Sequence, residues 1–315
     1  MKKALVVGIN DYPDNELEGC VKDAEAVTTT LEYNGDGTRN FSVKTVKSTA
    51  DDVTRPILRA AVTDLFRGAP EMALFYFSGH GYMESRGGYL VTSDVAEYEE
   101  GVSMEEVLRI ANSSKAKNKV IILDCCHAGA FGKPDLDGGN VTSISEGLSI
   151  LMASAHDETA IEKDGEGVFT SLLIDALQGG AADLRGNITP GSLYAYVDEA
   201  LGAWDQRPIF KTNVSTFATI REIPPKIPVT TMRKLTEYFE EANSHLQLNP
   251  TFEFTEDTAI EENVGVLKIL QKFHGVGLVE PVGTDHMYYA ATERKTCRLT
   301  AMGCQYWRLV KEGRL

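Results

Sequence analysis

The chain has no long apolar run, few cysteines and a shortage of basic residues. None of the hydrophobic stretches in its 315 residues approaches the ~20 residues that a membrane-spanning helix needs. The apolar stretch over residues 4–9 is too short for a signal peptide and is typical of a buried first strand. Its five cysteines have no disulfide-like spacing, which suits a reducing cytosol. We therefore expect a cytoplasmic protein that has no membrane partner.

The charge of the chain is one-sided. Its 31 Lys and Arg residues are outnumbered by 46 Asp and Glu residues, which gives a formal net charge of −15. Almost all of this charge lies in residues 1–225, because the remainder carries nearly equal numbers of basic and acidic residues. An acidic body repels nucleic acid and favours cationic substrates or partners. The charge therefore argues against nucleic acid as a partner.

Apolar runs that alternate with helical patterns predict the main domain. Two continuous runs, rich in β-branched and aromatic residues, end at Phe77 and at Leu123. Runs of this kind are expected of strands that are buried on both faces of a parallel sheet. The segments between the strands have helical spacing. We predict an α/β domain over residues 1–222, with a mostly parallel sheet and helices on both faces.

A proline-rich stretch, residues 223–228, follows this domain and is typical of a stiff linker. The remaining residues, 229–315, are predicted to form a small α+β domain. Its expected elements are a helix near residues 232–246, a helix near residues 260–273, a β-hairpin over residues 277–289 and a closing helix over residues 299–310. Helices followed by a hairpin and a last helix resemble a winged-helix module.

Two glycine-flanked motifs follow directly on the two apolar runs. The sequence SGHG puts His80 after the first run, and the sequence DCCHAG puts Cys126 after the second. Because parallel strands end at one edge of a sheet, we expect these side chains to lie close together. An imidazole near a thiol is the minimum needed for a thiolate nucleophile. The alternative is a structural histidine and a small buried cysteine. The presence of both motifs, each at the end of a strand, favours the catalytic pair.

The two motifs resemble those of caspase-like cysteine peptidases, metacaspases in particular. The family has its histidine in SGHG, and its nucleophile lies in D-x-C-H-x-G about fifty residues later. The sequence LEGCVKDA at residues 17–24 is similar to the metacaspase segment L-x-G-C-x-x-D-A. The resemblance covers about residues 1–222 and implies a caspase-like fold. It also implies that His80 and Cys126 are catalytic, and that the backbone N–H groups of Gly81 and Cys126 bind the oxyanion.

The same resemblance implies a specificity pocket, lined by Cys20, Asp23, Ser78 and Asp124. Two carboxylates in a narrow pocket repel each other unless a cation lies between them. A guanidinium or an ammonium group between the two carboxylates can pair with both of them. We therefore predict a cysteine endopeptidase that cleaves protein or peptide substrates after Arg or Lys through a thioester. The alternative is that Asp23 pairs within its helix and that Asp124 orders the nucleophile loop.

The resemblance also carries expectations about regulation and cofactors. Bacterial caspase-like proteins often act as regulated effectors, some of them in antiviral defence, which implies a protein activator. Self-cleavage is predicted after Lys163, which lies in a polar loop. No cofactor is needed and no metal site is predicted. Some metacaspases require calcium, and calcium stays an open alternative here. Acidic residues that could supply oxygen ligands are present, although they lack EF-hand spacing: Glu97, Glu99, Glu100, Asp135 and Asp137.

Other interpretations remain open from the sequence. The chain would also fit a non-catalytic caspase-like scaffold, or a winged-helix regulator with a sensory α/β domain. A cysteine peptidase of different specificity, of the gingipain or legumain type, would share the positions of the histidine and the cysteine. The presence of both catalytic residues counts against the scaffold, and the acidic charge counts against the regulator.

Overall fold

The computed structural model of the chain describes residues 1–13, 15–48, 52–84, 87–96, 99–125, 144–153, 162–163, 166–201 and 207–315. Over these ranges the chain forms two compact units. The first unit comprises residues 1–183 and 187–223, and the second comprises residues 184–186 and 224–315. Among the helices in these ranges, none has both the length and the apolar character that crossing a membrane requires.

The first unit alternates strands and helices along the chain. Its elements are β1 (Lys2–Gly8), α1 (Cys20–Glu32), β2 (Phe41–Lys47), α2 (Arg55–Leu65), β3 (Met72–Ser78), β4 (Gly81–Glu84), β5 (Gly87–Ala96), β6 (Glu99–Ser103), α3 (Met104–Ser113), β7 (Asn118–Asp124), β8 (Leu148–Met152), β9 (Glu162–Lys163), β10 (Glu166–Gly167), α4 (Val168–Asp175), a π-helical turn (Ala176–Gly180), β11 (Asn187–Ile188), α5 (Pro190–Ala200), β12 (Ile209–Asn213) and β13 (Arg221–Glu222).

Six of these strands form the central sheet, in the spatial order β12-β8-β7-β3-β1-β2. Neighbouring strands are parallel except β12, which pairs antiparallel with β8 at one edge. The mostly parallel sheet predicted from the sequence is thus confirmed. A second sheet, β4-β5-β6, is antiparallel and begins directly after His80.

Both faces of the central sheet are covered, so alternate residues of one strand belong to different cores. In β3, Phe75 and Phe77 pack in a core that includes residues of α2 and α3. Leu74 and Tyr76 pack in the opposite core, which includes residues of α1, α4 and α5. All four side chains are completely buried. This two-sided burial explains why the strand is a continuous apolar run in the sequence.

The second unit has its own core and a three-stranded antiparallel sheet of order β14-β16-β15. Its elements are α6 (Val229–Met232), α7 (Leu235–Tyr238), β14 (His245–Gln247), a 3₁₀ turn (Pro250–Phe252), α8 (Glu261–Gly275), β15 (Val279–Val282), α9 (Met287–Thr292), β16 (Thr296–Leu299) and α10 (Ala301–Lys311). The helix predicted near residues 260–273 is therefore present as α8.

The prediction of a single helix near residues 232–246 is wrong. The chain forms two short helices and then becomes extended at Phe239, which is buried in the core of the second unit. The carbonyl of Phe239 accepts the indole N–H of Trp307 at 2.8 Å. This bond and the burial of the ring hold the residue outside a helix, and a strand begins at His245.

The hairpin predicted over residues 277–289 is also wrong. Its first strand exists, but residues 287–292 form α9 because Met287, Ala290 and Ala291 are buried at helical spacing. The partner of β15 is β16, which follows α9. The last helix begins at Ala301 rather than at residue 299, because the hydroxyl of Thr300 caps it by accepting the N–H of Gly303. The winged-helix assignment stays a prediction.

Candidate active site

Asn10 organises the loop that joins β1 to α1. Its backbone N–H donates to the hydroxyl of Ser48 at 2.9 Å, and its carbonyl accepts the N–H of Leu17 at 3.0 Å. Its side-chain amide donates to the carbonyl of Glu18 and accepts the backbone N–H of Val21. These bonds fix the loop at both of its ends, near β1 and near α1.

Tyr12, in this loop, lies against His80. Their ring centroids are 4.6 Å apart. The backbone N–H of His80 donates to the Tyr12 hydroxyl at 3.0 Å, and that hydroxyl lies 3.5 Å from the carbonyl of Val91. Burial raises the pKa of Tyr12 well above its ordinary value. The hydroxyl therefore stays neutral and keeps both contacts at physiological pH.

Gly79 makes this approach possible. A Cβ atom at position 79 would lie only 2.5 Å from the Tyr12 hydroxyl oxygen. The backbone N–H of Gly79 also donates to the carbonyl of Asp124 at 3.3 Å. The first glycine of the SGHG motif is therefore required by close packing at the end of β3.

The ring of His80 is oriented by a backbone carbonyl. Its Nε2 atom lies 2.7 Å from the carbonyl oxygen of Asn15. Because a carbonyl only accepts hydrogen bonds, Nε2 carries the proton in this contact. In the neutral ring, Nδ1 then holds the lone pair. The geometry thus leaves Nδ1 as the nitrogen that can accept a proton.

The first turn of α1 lies directly on the end of β1. A Cβ atom at Gly8 would lie 2.3 Å from the carbonyl oxygen of Cys20, so only glycine permits this distance. Gly8 is in register with Ser78 on the neighbouring strand. Cys20 and Asp23, both buried, are therefore held at the sheet edge where β3 ends.

Ser78 and Asp124 are the last residues of two adjacent parallel strands. They are in register with each other, and both are buried. The hydroxyl of Thr170, from α4, donates to Oδ2 of Asp124 at 2.6 Å. The hydroxyl of Tyr76 lies 2.6 Å from the Thr170 oxygen, so Tyr76 is the donor in that contact. A chain of hydroxyl groups thus connects β3, α4 and β7.

A second carboxylate, that of Asp23, also affects the pKa of Tyr76. Burial raises the pKa of Tyr76 well above its ordinary value, and the nearby negative charges of Asp124 and Asp23 raise it further. The side chain of Ser78 interacts with the same hydroxyl. Asp23, Ser78 and Asp124, three of the four residues predicted to line the pocket, therefore all influence the pKa of one buried phenol, although they come from three separate elements.

Several residues predicted for the site lie outside the described part of the chain. They include the nucleophile Cys126 and the acidic residues Glu97, Asp135 and Asp137. For Lys163, Glu99 and Glu100 the backbone is described and the side chain is not. Gly81, the other predicted oxyanion donor, begins β4 and is in register with Leu90. Cys125, the residue after β7, is buried.

No group of three or more metal-ligating side chains is found among the described residues. A comparison with protein-family models matches residues 1–219 to the caspase domain. The chain belongs to the caspase-domain family. This family consists of cysteine peptidases, which agrees with the predicted class of enzyme.

Solved structures share the caspase fold. Caspase-1 from Spodoptera frugiperda superimposes with a TM-score of 0.52 and 11% identity, over 70% of this chain and 90% of that one. A protein from Geobacter sulfurreducens superimposes with a TM-score of 0.51 and 16% identity, over 71% of this chain and 98% of that one. A comparison with curated protein sequences gives no match. At these identities the likeness shows the fold alone.

Sequence reasoning missed four residues of this caspase-like site, namely Tyr12, Asn15, Tyr76 and Thr170. Each acts through a contact with a residue far away in the chain. Tyr76 and Thr170 occur in apolar segments that are typical of core packing. Two polar hydroxyls in such segments were a usable signal, because a buried hydroxyl requires a hydrogen-bond partner.

Proposed function

We propose that the chain is a cysteine endopeptidase that cleaves after Arg or Lys. Cys126 attacks the scissile carbonyl as a thiolate, and the N–H groups of Gly81 and Cys126 stabilise the oxyanion. The resulting thioester is hydrolysed by water, and no cofactor takes part. Membership of the caspase-domain family supports this reaction class.

His80 acts as base and general acid in this scheme. With Nε2 bonded to the carbonyl of Asn15, Nδ1 is the atom that accepts the proton of the Cys126 thiol. The same nitrogen then returns a proton to the leaving amine. Tyr12 holds the backbone of His80 while the ring changes its charge.

Two buried carboxylates around one phenol are the observation that carries the proposed specificity. Asp23 and Asp124 are nearly inaccessible to solvent, and both act on the Tyr76 hydroxyl. A cation that enters between two like charges lowers the cost of burying them. The side chain of a substrate Arg or Lys supplies that cation. An aspartyl side chain would add a third negative charge, which costs several kcal/mol.

Lys163 fits the proposal of self-cleavage by its place in the chain. Its backbone pairs with Glu166 in a short antiparallel ladder, directly before α4. α4 carries Thr170, which binds Asp124. A cut after Lys163 would therefore divide the chain between β7, which precedes Cys126 in the sequence, and the helix that supports the pocket. A protein activator, a cytoplasmic location and a role as a regulated bacterial effector, including in antiviral defence, belong to the same proposal.

A panel of fluorogenic peptides that end in Arg, Lys, Asp or Asn tests the specificity. We expect hydrolysis of the Arg and Lys peptides, abolished in Cys126→Ala and in His80→Ala. Asp23→Asn and Asp124→Asn should lower kcat/KM for the Arg peptide roughly 10- to 100-fold, as expected for loss of a charge-assisted bond. Asp175→Asn, an exposed position on α4, is the matched control. Hydrolysis of the Asp peptide alone would overturn the assigned pocket.

A further inference from the structure

From the groove between α2 and α3 we infer that the first unit binds an acidic peptide segment of a partner protein. The groove has a volume of about 550 Å³, and three arginines line it: Arg59, Arg67 and Arg109. None of its lining residues belongs to the candidate active site. This docking surface goes beyond the proposed peptidase activity and does not depend on it.

The helical spacing of the lining residues gives the groove its length. Arg59 and Thr63 lie one helical turn apart on α2 and form one wall together with Arg67, which follows the end of that helix. Glu106, Arg109 and Ile110 lie on one face of α3 and form the other wall. The α2 part of this wall, from Pro56 to Thr63, extends over ~10 Å, at about 1.5 Å per residue. This length matches about three residues of an extended peptide, at ~3.3 Å per residue.

The arginines outnumber the single carboxylate of the groove. Oε1 of Glu106 accepts Nε of Arg59 at 2.7 Å and lies 3.7 Å from Nη2 of Arg109. The Glu106 side chain is only 15% exposed, whereas the arginine side chains are 60–74% exposed. Arg67 pairs instead with Asp64 at 3.5 Å, outside the lining of the groove. Each guanidinium carries five N–H donors, so these two carboxylates leave donor capacity for carboxylates from outside. The groove is thus cationic, and the carboxylate of Glu106 orients two of its arginines.

Its charge is opposite to that of the surrounding domain. Residues 1–225 carry nearly all of the net charge of −15. A long polyanion such as RNA would be repelled by the surface around the groove, whereas a short acidic segment contacts only the groove. Pro56, Ala60 and Ile110 add apolar lining. The occupant that fits is therefore a peptide with carboxylates on either side of an apolar residue.

The probe is a peptide of sequence Asp-Glu-Leu-Glu-Asp with an uncharged dye, titrated with the full-length Cys126→Ala protein. Fluorescence anisotropy should show that this peptide binds and that its binding weakens as the salt concentration rises. The uncharged peptide Asn-Gln-Leu-Gln-Asn should not bind. Arg59→Gln combined with Arg109→Gln should weaken binding at least tenfold. Glu106→Gln should strengthen it severalfold, because the internal carboxylate no longer competes. The control, Arg308→Gln on α10, removes an exposed arginine of the second unit and should change affinity less than twofold.

Equal affinity for the two peptides would overturn the inference, as would unchanged binding in the double arginine variant when circular dichroism shows it to be folded. Displacement of the peptide by equimolar inorganic phosphate would also overturn it, because the groove would then be a simple anion site. Tighter binding of single-stranded RNA through the same arginines would contradict the assigned class of partner. The readout is binding to a protein without its nucleophile, so failure of the peptidase proposal would leave this result unaffected.

Discussion

Thr170 donates a hydrogen bond of 2.6 Å to Oδ2 of Asp124, and this bond joins α4 to the end of β7. Both residues are buried, and Thr170 is completely inaccessible. The bond fixes one oxygen of a carboxylate that the proposed mechanism uses to recognise a basic side chain. In the proposed mechanism Thr170 is therefore a positioning residue for the recognition of that side chain.

Thr170→Val removes the donor while it preserves the shape of the side chain. A hydrogen bond to a charged group contributes about 1.5–3 kcal/mol, so kcat/KM for an arginyl peptide should fall roughly tenfold or more. We expect most of the loss in KM, because the pocket holds the substrate side chain. Thr170→Ser retains the hydroxyl and should stay close to wild type. Equal kinetics for the valine and serine variants would show that the bond has no part in specificity.

Tyr12→Phe tests the support of His80. The substitution leaves the aromatic ring and removes the acceptor of the His80 backbone N–H. An unsatisfied buried N–H costs about 1–3 kcal/mol, so we expect a lower melting temperature and a fall in kcat of about tenfold. The profile of kcat against pH separates the two effects. A purely structural residue would lower stability and leave the profile unchanged, which would contradict the proposed role.

The two buried phenols make the first unit sensitive to alkali. Burial raises the pKa of Tyr12 and of Tyr76 in the folded state, whereas an unfolded tyrosine ionises near pH 10. Below that pH both states hold the proton and the contribution is constant. Above it only the unfolded chain loses the proton, so stability falls by about 1.4 kcal/mol per pH unit for each phenol.

Urea unfolding between pH 8 and pH 11, followed by circular dichroism, measures this slope. Tyr12→Phe should make it shallower. In a parallel titration at 295 nm, at least two of the twelve tyrosines, Tyr12 and Tyr76, should ionise only as the protein unfolds. Ionisation of all twelve in a protein that keeps its native dichroism would contradict the burial of these hydroxyls.

Self-cleavage gives a prediction about mass. Wild-type protein, once active, should yield two fragments that divide after Lys163, whereas Cys126→Ala and Lys163→Ala should stay intact. Lys115→Ala, at an exposed lysine after α3, is the matched control and should be cut like wild type. Intact-mass spectrometry resolves these species. Identical full-length masses for wild type and Cys126→Ala, in a preparation that hydrolyses the arginyl peptide, would reject self-processing.

The sequence was sufficient for the architecture of the first unit because its signals there are local. An apolar run predicts β3, and Thr189 with Pro190 predicts the start of α5, where Thr189 does accept the N–H of Ser192. Motif order predicted the caspase-like fold. In the second unit the local pattern failed at Phe239, because burial against the second core outweighed helical continuation.

The contacts that hold the residues of the candidate site in place could not be predicted from local sequence patterns. The contact of Tyr12 with His80 spans 68 positions, and that of Thr170 with Asp124 spans 46. Only the register of adjacent strands and the packing of α1 and α4 bring these groups together. Sequence motifs can nominate reactive groups at strand ends, but the hydroxyls that orient them are defined by the folded chain.

The most direct test of the central claim is labelling with an arginyl chloromethyl ketone, followed by peptide mapping of the modified thiol. Burial raises the pKa of Cys297 to about 12, so that thiol stays protonated and unreactive at neutral pH. We predict one adduct, on Cys126, which is lost in His80→Ala and reduced in Asp124→Asn, with no adduct from the aspartyl analogue. Modification of a different cysteine, or equal labelling by the aspartyl reagent, would contradict the account of a basic-specific cysteine peptidase.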